Sequence, residues 1–366
     1  MMLPLPLPMK TRASNAALAK ARAMYGRRLT TADYKRLAAC RTMPALAAEL
    51  KALPMYEEAL KSVNAPTARR AQLEAMLRQA IFDRYDSLCR YELSSGHLVY
   101  GYFTTSCEVD EILSCLRCLD AGRPGDYLYK LPDFLQQRCT VDLYALARVT
   151  DAKSLLAALA GTPYQKMLAP LAELPEGSKL LVHAEPYLEN WRHKALVSLA
   201  PEGTGPSAPG AEPGVRDFIA LECDAAAISN AARLIRMNAS VAAVDAAARR
   251  DCTNLSEAEW NAMLGAKDIE AFRAALDKNR YGRALRRYNY RILKEGLQMY
   301  RYDWCEKWLR FSTDPSLVML CYIYLARCEV QNLDHIIEGV HYHMPADELL
   351  SMVVGCRAET EKGRVS

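Results

Sequence analysis

The sequence predicts an all-α protein built from three homologous helical units. Apolar residues return at intervals of three and four positions, as in Leu73, Met76, Leu77, Ala80 and Ile81, which is the spacing of one helix face. Strand-like alternation is confined to residues 98–103, a segment too short to carry a sheet. In addition, three segments of the chain share the same order of marked positions, which is the signature of an internal repeat.

Length and composition narrow the class of protein. The 366 residues carry 47 Lys and Arg against 43 Asp and Glu, so the net charge is only +4, and the hydrophobic content of 51% is that of a globular protein. The length exceeds what one core usually serves, so two or three domains are expected. The longest apolar run, residues 317–326, is far shorter than the roughly 20 residues of a membrane-spanning helix. Residues 1–10 lack a basic start and contain repeated prolines, so no signal peptide is expected.

The cysteines favour a reducing environment over a disulfide scaffold. Twelve are scattered through a long chain, whereas disulfide-rich domains are usually short. Several lie in apolar, helical surroundings, where a free thiol behaves as a small hydrophobic group. We therefore predict reduced core thiols at Cys40, Cys89, Cys139, Cys252 and Cys321.

Each copy of the repeat opens with a hydroxyl residue four positions before an aromatic residue. These pairs are Thr30 with Tyr34, Thr140 with Tyr144, and Ser256 with Trp260. The hydroxyl suits a helix N-cap, because its oxygen can accept a hydrogen bond from an amide of the first turn. Asp33 and Glu259 follow it by three positions, as in a capping box, whereas the second copy has Leu143 there.

Two further marks follow in each copy. A tyrosine with a leucine four positions later predicts another short helix, at Tyr56 and Leu60, Tyr164 and Leu168, and Tyr281 and Leu285. A glutamate follows, in Glu108-Val109-Asp110, Glu222-Cys223-Asp224 and Glu329-Val330-Gln331. The first aromatic precedes this glutamate by 74, 78 and 69 residues in the three copies. The offsets predict helical repeats over residues 15–122, 123–235 and 236–353, with a loop rich in Pro and Gly at 201–214.

The Glu-x-Asp pairs at 108–110 and 222–224 have two interpretations. Paired carboxylates can perform acid–base chemistry, but helix-start charges or hydrogen-bond acceptors between repeats are the favoured interpretation. The third copy replaces the aspartate with Gln331, which weakens the catalytic interpretation.

No cofactor or metal site is expected. Cys115 and Cys118 form a C-x-x-C within a helical run, but a second pair at zinc spacing is lacking, so we interpret them as core thiols. His335, His341 and His343 likewise lack matching ligands. The sequence contains neither a phosphate-binding G-x-x-x-x-G-K-[ST] loop nor a G-x-G-x-x-G.

The segment 280–310 is strongly basic, with nine Lys and Arg against three acidic residues. The spacing predicts that four of the arginines share one helix face: Arg280, Arg283, Arg287 and Arg291. Three interpretations remain open: a solvated face, contact with an acidic partner or anionic lipid headgroups, and nucleic-acid binding aided by interleaved tyrosines.

Several of these motifs together resemble a known family. They are Leu29-Thr30-x-x-Asp33-Tyr34-x-x-Leu37, Tyr56-x-x-x-Leu60, the Glu-x-Asp pairs as helix starts, and a C-terminal series of Glu329, Asn332, Leu333, Ile336, Gly339, Pro345 and Glu348. The chain resembles, over residues 15–353, the C subunit of bacterial and archaeal A/V-type ATPases, the counterpart of the eukaryotic V-ATPase d subunit. Residues 340–343 (Val-His-Tyr-His) and the loop 201–214 depart from the family pattern.

The resemblance implies three helical domains around a pseudo-threefold axis, forming a funnel. It implies a non-catalytic adaptor between the central stalk and the membrane proteolipid ring, which transmits torque for ATP-coupled proton or sodium transport. Such a subunit would lie peripherally on the cytoplasmic face of the membrane and bind no cofactor. The alternative from the residues alone is a helical-repeat scaffold that binds RNA or another polyanion through 280–310.

Overall fold

The computed structural model describes residues 13–92, 98–175, 177–201, 205–208, 210–248 and 250–356. Within these ranges the only regular elements are helices, and one isolated bridge joins Ala13 to Glu92, so the all-α prediction is confirmed. The α-helices are α1 (Asn15–Tyr25), α2 (Thr31–Ala38), α3 (Met43–Lys51), α4 (Arg70–Cys89), α5 (Leu98–Asp120), α6 (Leu143–Leu146), α7 (Ala152–Ala158), α8 (Pro163–Leu168), α9 (Leu180–Val197), α10 (Val215–Arg236), α11 (Val241–Ala247), α12 (Glu257–Leu264), α13 (Ile269–Leu276), α14 (Arg280–Leu285), α15 (Leu293–Phe311), α16 (Pro315–His341) and α17 (Ala346–Met352).

Capping residues set the starts of the short helices. Thr30 caps α2 in a capping box with Asp33, and Ser256 caps α12 in the same way with Glu259. The second copy differs from our expectation, because Asp142 and not Thr140 caps α6. The carboxylate of Asp142 accepts from the amides of Tyr144 and Ala145 and so replaces the hydroxyl.

The tyrosine–leucine spacing forms a helix in two copies only. Tyr164 lies in α8 and Tyr281 lies in α14. Around Tyr56 the chain instead makes successive hydrogen-bonded turns, with Leu60 N–H donating to the Tyr56 carbonyl at 2.9 Å. All three tyrosines are nonetheless buried.

Six long helices organise the interior. The helices α4, α5, α9, α10, α15 and α16, with α1, contribute to one central apolar cluster. Three further clusters, called the outer clusters below, are formed by residues 29–80 with 333–353, by residues within 82–188 and by residues within 221–297. In these outer clusters α16 packs on α4, α5 on α9, and α10 on α15. The first outer cluster therefore combines the beginning of the chain with its end.

The C-terminal residues that carry the family resemblance have packing roles. The side-chain amide of Asn332 donates to the Val354 carbonyl at 2.8 Å and accepts from the Val354 N–H at 2.9 Å. A Cβ added at Gly339 would lie 1.9 Å from Leu349 Cδ2, so any side chain here would displace the buried Leu349 of α17. These contacts fold the last described segment back onto the longest helix.

Residues 98–103, the one strand-like stretch of the sequence, form the first turns of α5 instead. None of the helices within the described ranges is long and apolar enough to cross a membrane. The expectation about a signal peptide concerns residues 1–10, which lie outside the described residues.

Candidate functional site

Three buried carboxylates each receive a tyrosine hydroxyl and a backbone amide. The Tyr56 hydroxyl donates to Glu329 at 2.6 Å, Tyr164 donates to Glu108 at 2.7 Å, and Tyr281 donates to Asp224 at 2.6 Å. The amide donors are Leu29 (2.9 Å) to Glu329, Thr140 to Glu108, and Asn254 (2.8 Å) to Asp224. Each amide lies just before the first short helix of a copy. One carboxylate thus joins a long helix to two points of the short-helix segment packed on it.

Each carboxylate accepts its hydrogen bond from the tyrosine of the next copy, and the carboxylate of the last copy accepts from the tyrosine of the first. Glu108 belongs to the first copy and binds Tyr164 of the second, and Asp224 of the second binds Tyr281 of the third. Glu329 of the third copy binds Tyr56 of the first. The three bonds therefore form a closed cycle along the sequence.

Burial shifts the pKa of groups in these contacts. It raises the pKa of Tyr56 well above its usual value, and the charge of Glu329 raises it further. Burial is also the main cause of the raised pKa of Asp224, which hydrogen bonds from Thr253 and Tyr281 oppose. The phenols therefore remain protonated donors at physiological pH.

The structure corrects the expected position and register of the Glu-x-Asp pairs. Glu108 and Glu222 lie well inside α5 and α10, not at helix starts. In the second copy it is Asp224, two positions after Glu222, that binds the tyrosine. The remaining members bind arginines, Asp110 to Arg192 at 2.7 Å and Glu222 to Arg301 at 2.8 Å.

The predicted hydroxyl–aromatic pair of the second copy, Thr140 and Tyr144, is also displaced from the positions that the structure uses. The Thr140 hydroxyl donates to Glu108 at 2.9 Å, and the helix is capped two positions later, by Asp142. Tyr144 is 45% exposed, whereas its expected equivalents Tyr34 and Trp260 are buried. Counted from the actual cap, Asp142, the buried residue at the fourth position is Leu146.

The arginines that accompany the carboxylates were missed by sequence reasoning. Arg84 lies 3.5 Å from Glu329, and both side chains are largely buried. Arg84 follows Tyr56 by 28 positions, and Arg192 follows Tyr164 by the same number. This shared spacing is a sequence signal for the two arginines. Arg301 follows Tyr281 by 20, so no common offset predicts it.

The candidate metal ligands are not brought together. Within the described ranges no group of three or more His, Cys, Asp or Glu side chains is placed to hold a metal ion. Cys115 and Cys118 are buried within α5, and burial raises the pKa of Cys115 to about 12. Of the five predicted core thiols, Cys89, Cys252 and Cys321 are buried, and Cys40 and Cys139 are half-buried.

One arrangement resembles a nucleophile–base–carboxylate series. Cys223 Sγ lies 3.8 Å from His193 Nδ1, and His193 Nε2 lies 3.1 Å from Asp251. The thiol is only 4% exposed, and burial raises its pKa well above the usual value, with further contributions from Cys252 and Glu222. Because the thiolate is the reactive form, this geometry does not produce an active nucleophile.

The basic segment forms an exposed surface, although not on one helix. We define the cationic surface as the exposed side chains Arg280, Arg283, Arg286, Arg287, Arg291 and Lys294. Because α14 ends at Leu285 and α15 begins at Leu293, Arg287 and Arg291 lie in the connecting loop, and the prediction of a single helical face is wrong. The interleaved tyrosines point inward, since Tyr281 is buried and Tyr288, Tyr290 and Tyr300 pack against the third outer cluster.

Fold and sites together define an all-α protein held by a recurring carboxylate–tyrosine contact. A scan against protein-family models matches residues 17–352 to the ATP synthase (C/AC39) subunit family. Comparison with curated proteins gives no match. Since the family match spans nearly the whole chain, the protein belongs to the ATP synthase (C/AC39) subunit family and is a V-type ATPase subunit. The resemblance inferred from the sequence is confirmed.

Proposed function

We propose that the protein is the central-axis adaptor of its ATPase. In this role it joins the central stalk to the membrane proteolipid ring and transmits torque for ATP-coupled proton or sodium transport. It is peripheral, on the cytoplasmic face of the membrane, and does not itself catalyse a reaction. Its three repeats, 15–122, 123–235 and 236–353, are arranged around a pseudo-threefold axis.

The observation that carries this proposal is the closed cycle of carboxylate–tyrosine bonds. A torque-bearing adaptor must resist shear between its units, and each unit here is tied to the next through a buried, charge-assisted hydrogen bond. The same carboxylates are fully engaged by donors within the chain. That engagement favours a mechanical role for them over acid–base chemistry.

The direct test is assembly. The full chain is mixed with the central-stalk subunits and, separately, with the detergent-solubilised proteolipid ring of its own organism. The proposal predicts binding to both, and a ternary complex when all three are combined. Binding to neither, or to only one of them, would overturn it.

Mechanical coupling is tested in the assembled complex. Tyr56→Phe removes one bond of the cycle while keeping the ring in the core, so we expect ATP hydrolysis to continue with less ion transported per ATP. Tyr187→Phe changes an exposed tyrosine and serves as the matched control. An unchanged ratio of transport to hydrolysis in an assembled, folded Tyr56→Phe complex would contradict the role of the cycle in torque transmission.

A further inference from the structure

We propose that the cationic surface binds the anionic headgroups of a phospholipid bilayer. The proposed adaptor role concerns protein subunits on either side of the chain, so a lipid contact goes beyond it. The inference starts from six exposed cations within fifteen positions, 280–294, which exceed the net charge of the entire chain.

The charge of this surface is not neutralised by the protein. Within the part of the chain that the structure describes, none of the six side chains has an acidic group within 4 Å. Glu295, the nearest acidic residue in sequence, instead accepts from the backbone amides of Arg291 and Ile292. Arg283 and Arg286 each donate one bond to a backbone carbonyl, at 2.8 and 3.3 Å, and keep their other donors for a ligand.

The other two copies have few cations at the corresponding positions. We align the copies on their buried tyrosines and compare the positions one before and two, five and six after. The third copy has Arg280, Arg283, Arg286 and Arg287. The first copy has Met55, Glu58, Lys61 and Ser62, and the second has Pro163, Lys166, Ala169 and Pro170. The third copy thus has four cations at these positions, whereas each of the other copies has one. The concentration of positive charge is therefore specific to the third copy.

The exposed groups between the cations suit a bilayer better than a nucleic acid. Single-stranded nucleic acids are bound by stacking bases on exposed aromatic rings, but the tyrosine rings of this segment are buried or partly buried against the third outer cluster. Tyr290, for example, lies so close to Gly296 that an added Cβ would be 2.6 Å from its ring. The apolar residue that is exposed is Ile292, at 44%, between Arg291 and Lys294. An aliphatic side chain among cations matches the boundary between headgroups and acyl chains.

Vesicle flotation tests the proposal on the full chain. We expect binding to equimolar phosphatidylcholine and phosphatidylglycerol vesicles, little binding to phosphatidylcholine alone, and a decrease as salt is raised. Arg283→Gln/Arg287→Gln/Arg291→Gln should weaken binding by about tenfold or more, since each basic residue near an anionic surface contributes measurably. The matched control, Lys153→Gln/Lys166→Gln/Lys194→Gln, removes the same charge from exposed positions elsewhere and should bind as the unaltered chain does.

Ile292→Ser separates a bilayer from other polyanions. The substitution should weaken binding to the vesicles and leave binding to heparin, a soluble polyanion, unchanged. The proposal is overturned if the anionic vesicles are not bound at low salt, if both triple variants lose binding equally, or if single-stranded RNA is bound as tightly as the vesicles. Assembly of the same variants with stalk and ring subunits is measured separately, so failure of lipid binding and failure of the adaptor role remain distinguishable.

Discussion

The hydroxyl of Tyr56 donates a 2.6 Å hydrogen bond to Glu329, which lies 273 positions later in the chain. The same carboxylate accepts from the Leu29 amide and faces Arg84. One buried acidic group on α16 thus binds two separate points near the beginning of the chain, Leu29 and Tyr56. This contact and its two counterparts lead to predictions that can be tested on the isolated chain.

Removing the Tyr56 hydroxyl should destabilise the protein. Tyr56→Phe leaves the packing intact but deprives a buried carboxylate of one donor, at a cost of about 2 kcal/mol. Urea unfolding followed by circular dichroism measures the change. Tyr187→Phe, at an exposed position of α9, should stay within about 0.5 kcal/mol of the unaltered chain. Equal effects of the two substitutions would contradict a stabilising role for the Tyr56–Glu329 bond.

Neutralising Glu329 should cost more than neutralising an exposed glutamate of the same helix. Glu329→Gln leaves the largely buried Arg84 without its counter-charge, and we expect a loss of about 3 kcal/mol. Glu338→Gln removes a partner of Arg70 that is half exposed, so its cost should be at most about 0.5 kcal/mol. The comparison uses unfolding free energies at neutral pH. A smaller loss for Glu329→Gln than for Glu338→Gln would show that the buried pair does not stabilise the fold.

Two glycines should respond in opposite directions to substitution by alanine. Gly339→Ala forces Leu349 away from α16 and should cost about 1–3 kcal/mol. Gly101 lies inside α5 with nothing within 4 Å of an added Cβ, so Gly101→Ala should stabilise by about 0.5–1 kcal/mol through helix propensity. Thermal melts measure whether each substitution raises or lowers the melting temperature. A Gly339→Ala chain as stable as the original would disprove the close approach of α17.

Glu111 should make stability depend on pH. Burial raises its pKa to about 7, although it accepts a 2.9 Å bond from Tyr127. Because the folded chain then holds this proton more tightly than the unfolded chain, the contribution is favourable at low pH and is lost as pH rises from about 4.5 to about 7. The contribution of this proton to the free energy of unfolding is about 3 kcal/mol.

Glu111→Gln should remove that component. The variant should gain stability relative to the unaltered chain at pH 8 and lose this advantage at pH 4, as measured by denaturant unfolding at both values. Glu57→Gln, at an exposed position, should leave the difference in unfolding free energy between pH 4 and pH 8 unchanged. Parallel stability curves for Glu111→Gln and the unaltered chain would contradict the raised pKa.

Local features of the fold were predictable from the sequence, because their causes are local. Thr30 and Ser256 cap helices where the hydroxyl spacing indicates, since the bonds they make span three residues. In the second copy the same reasoning failed at Thr140. There both the amide and the hydroxyl of Thr140 donate to the distant Glu108, and Asp142 is the N-cap. The cap of this helix therefore lies two positions later than the sequence pattern predicts, at Asp142.

The pairing of carboxylates with tyrosines could not be predicted from one copy alone. The order of marks suggests that Tyr56 and Glu108 belong to one unit, yet the observed partner of Tyr56 is Glu329. Only packing shows that each long helix covers the short helices of the next copy. Likewise, Arg287 and Arg291 fit a helical spacing in sequence, but α14 ends at Leu285, and Tyr288 and Tyr290 in the loop that follows pack against the third outer cluster.

The cycle of three bonds has a consequence for synthesis of the protein. The second and third outer clusters are each made from one continuous stretch of chain, but the first cluster needs α16, whose residues are among the last to be made. At ribosomal rates of about 5–20 residues per second, Tyr56 waits roughly 15–50 s for Glu329 to emerge. The unit that is translated first is therefore the last one able to complete its core.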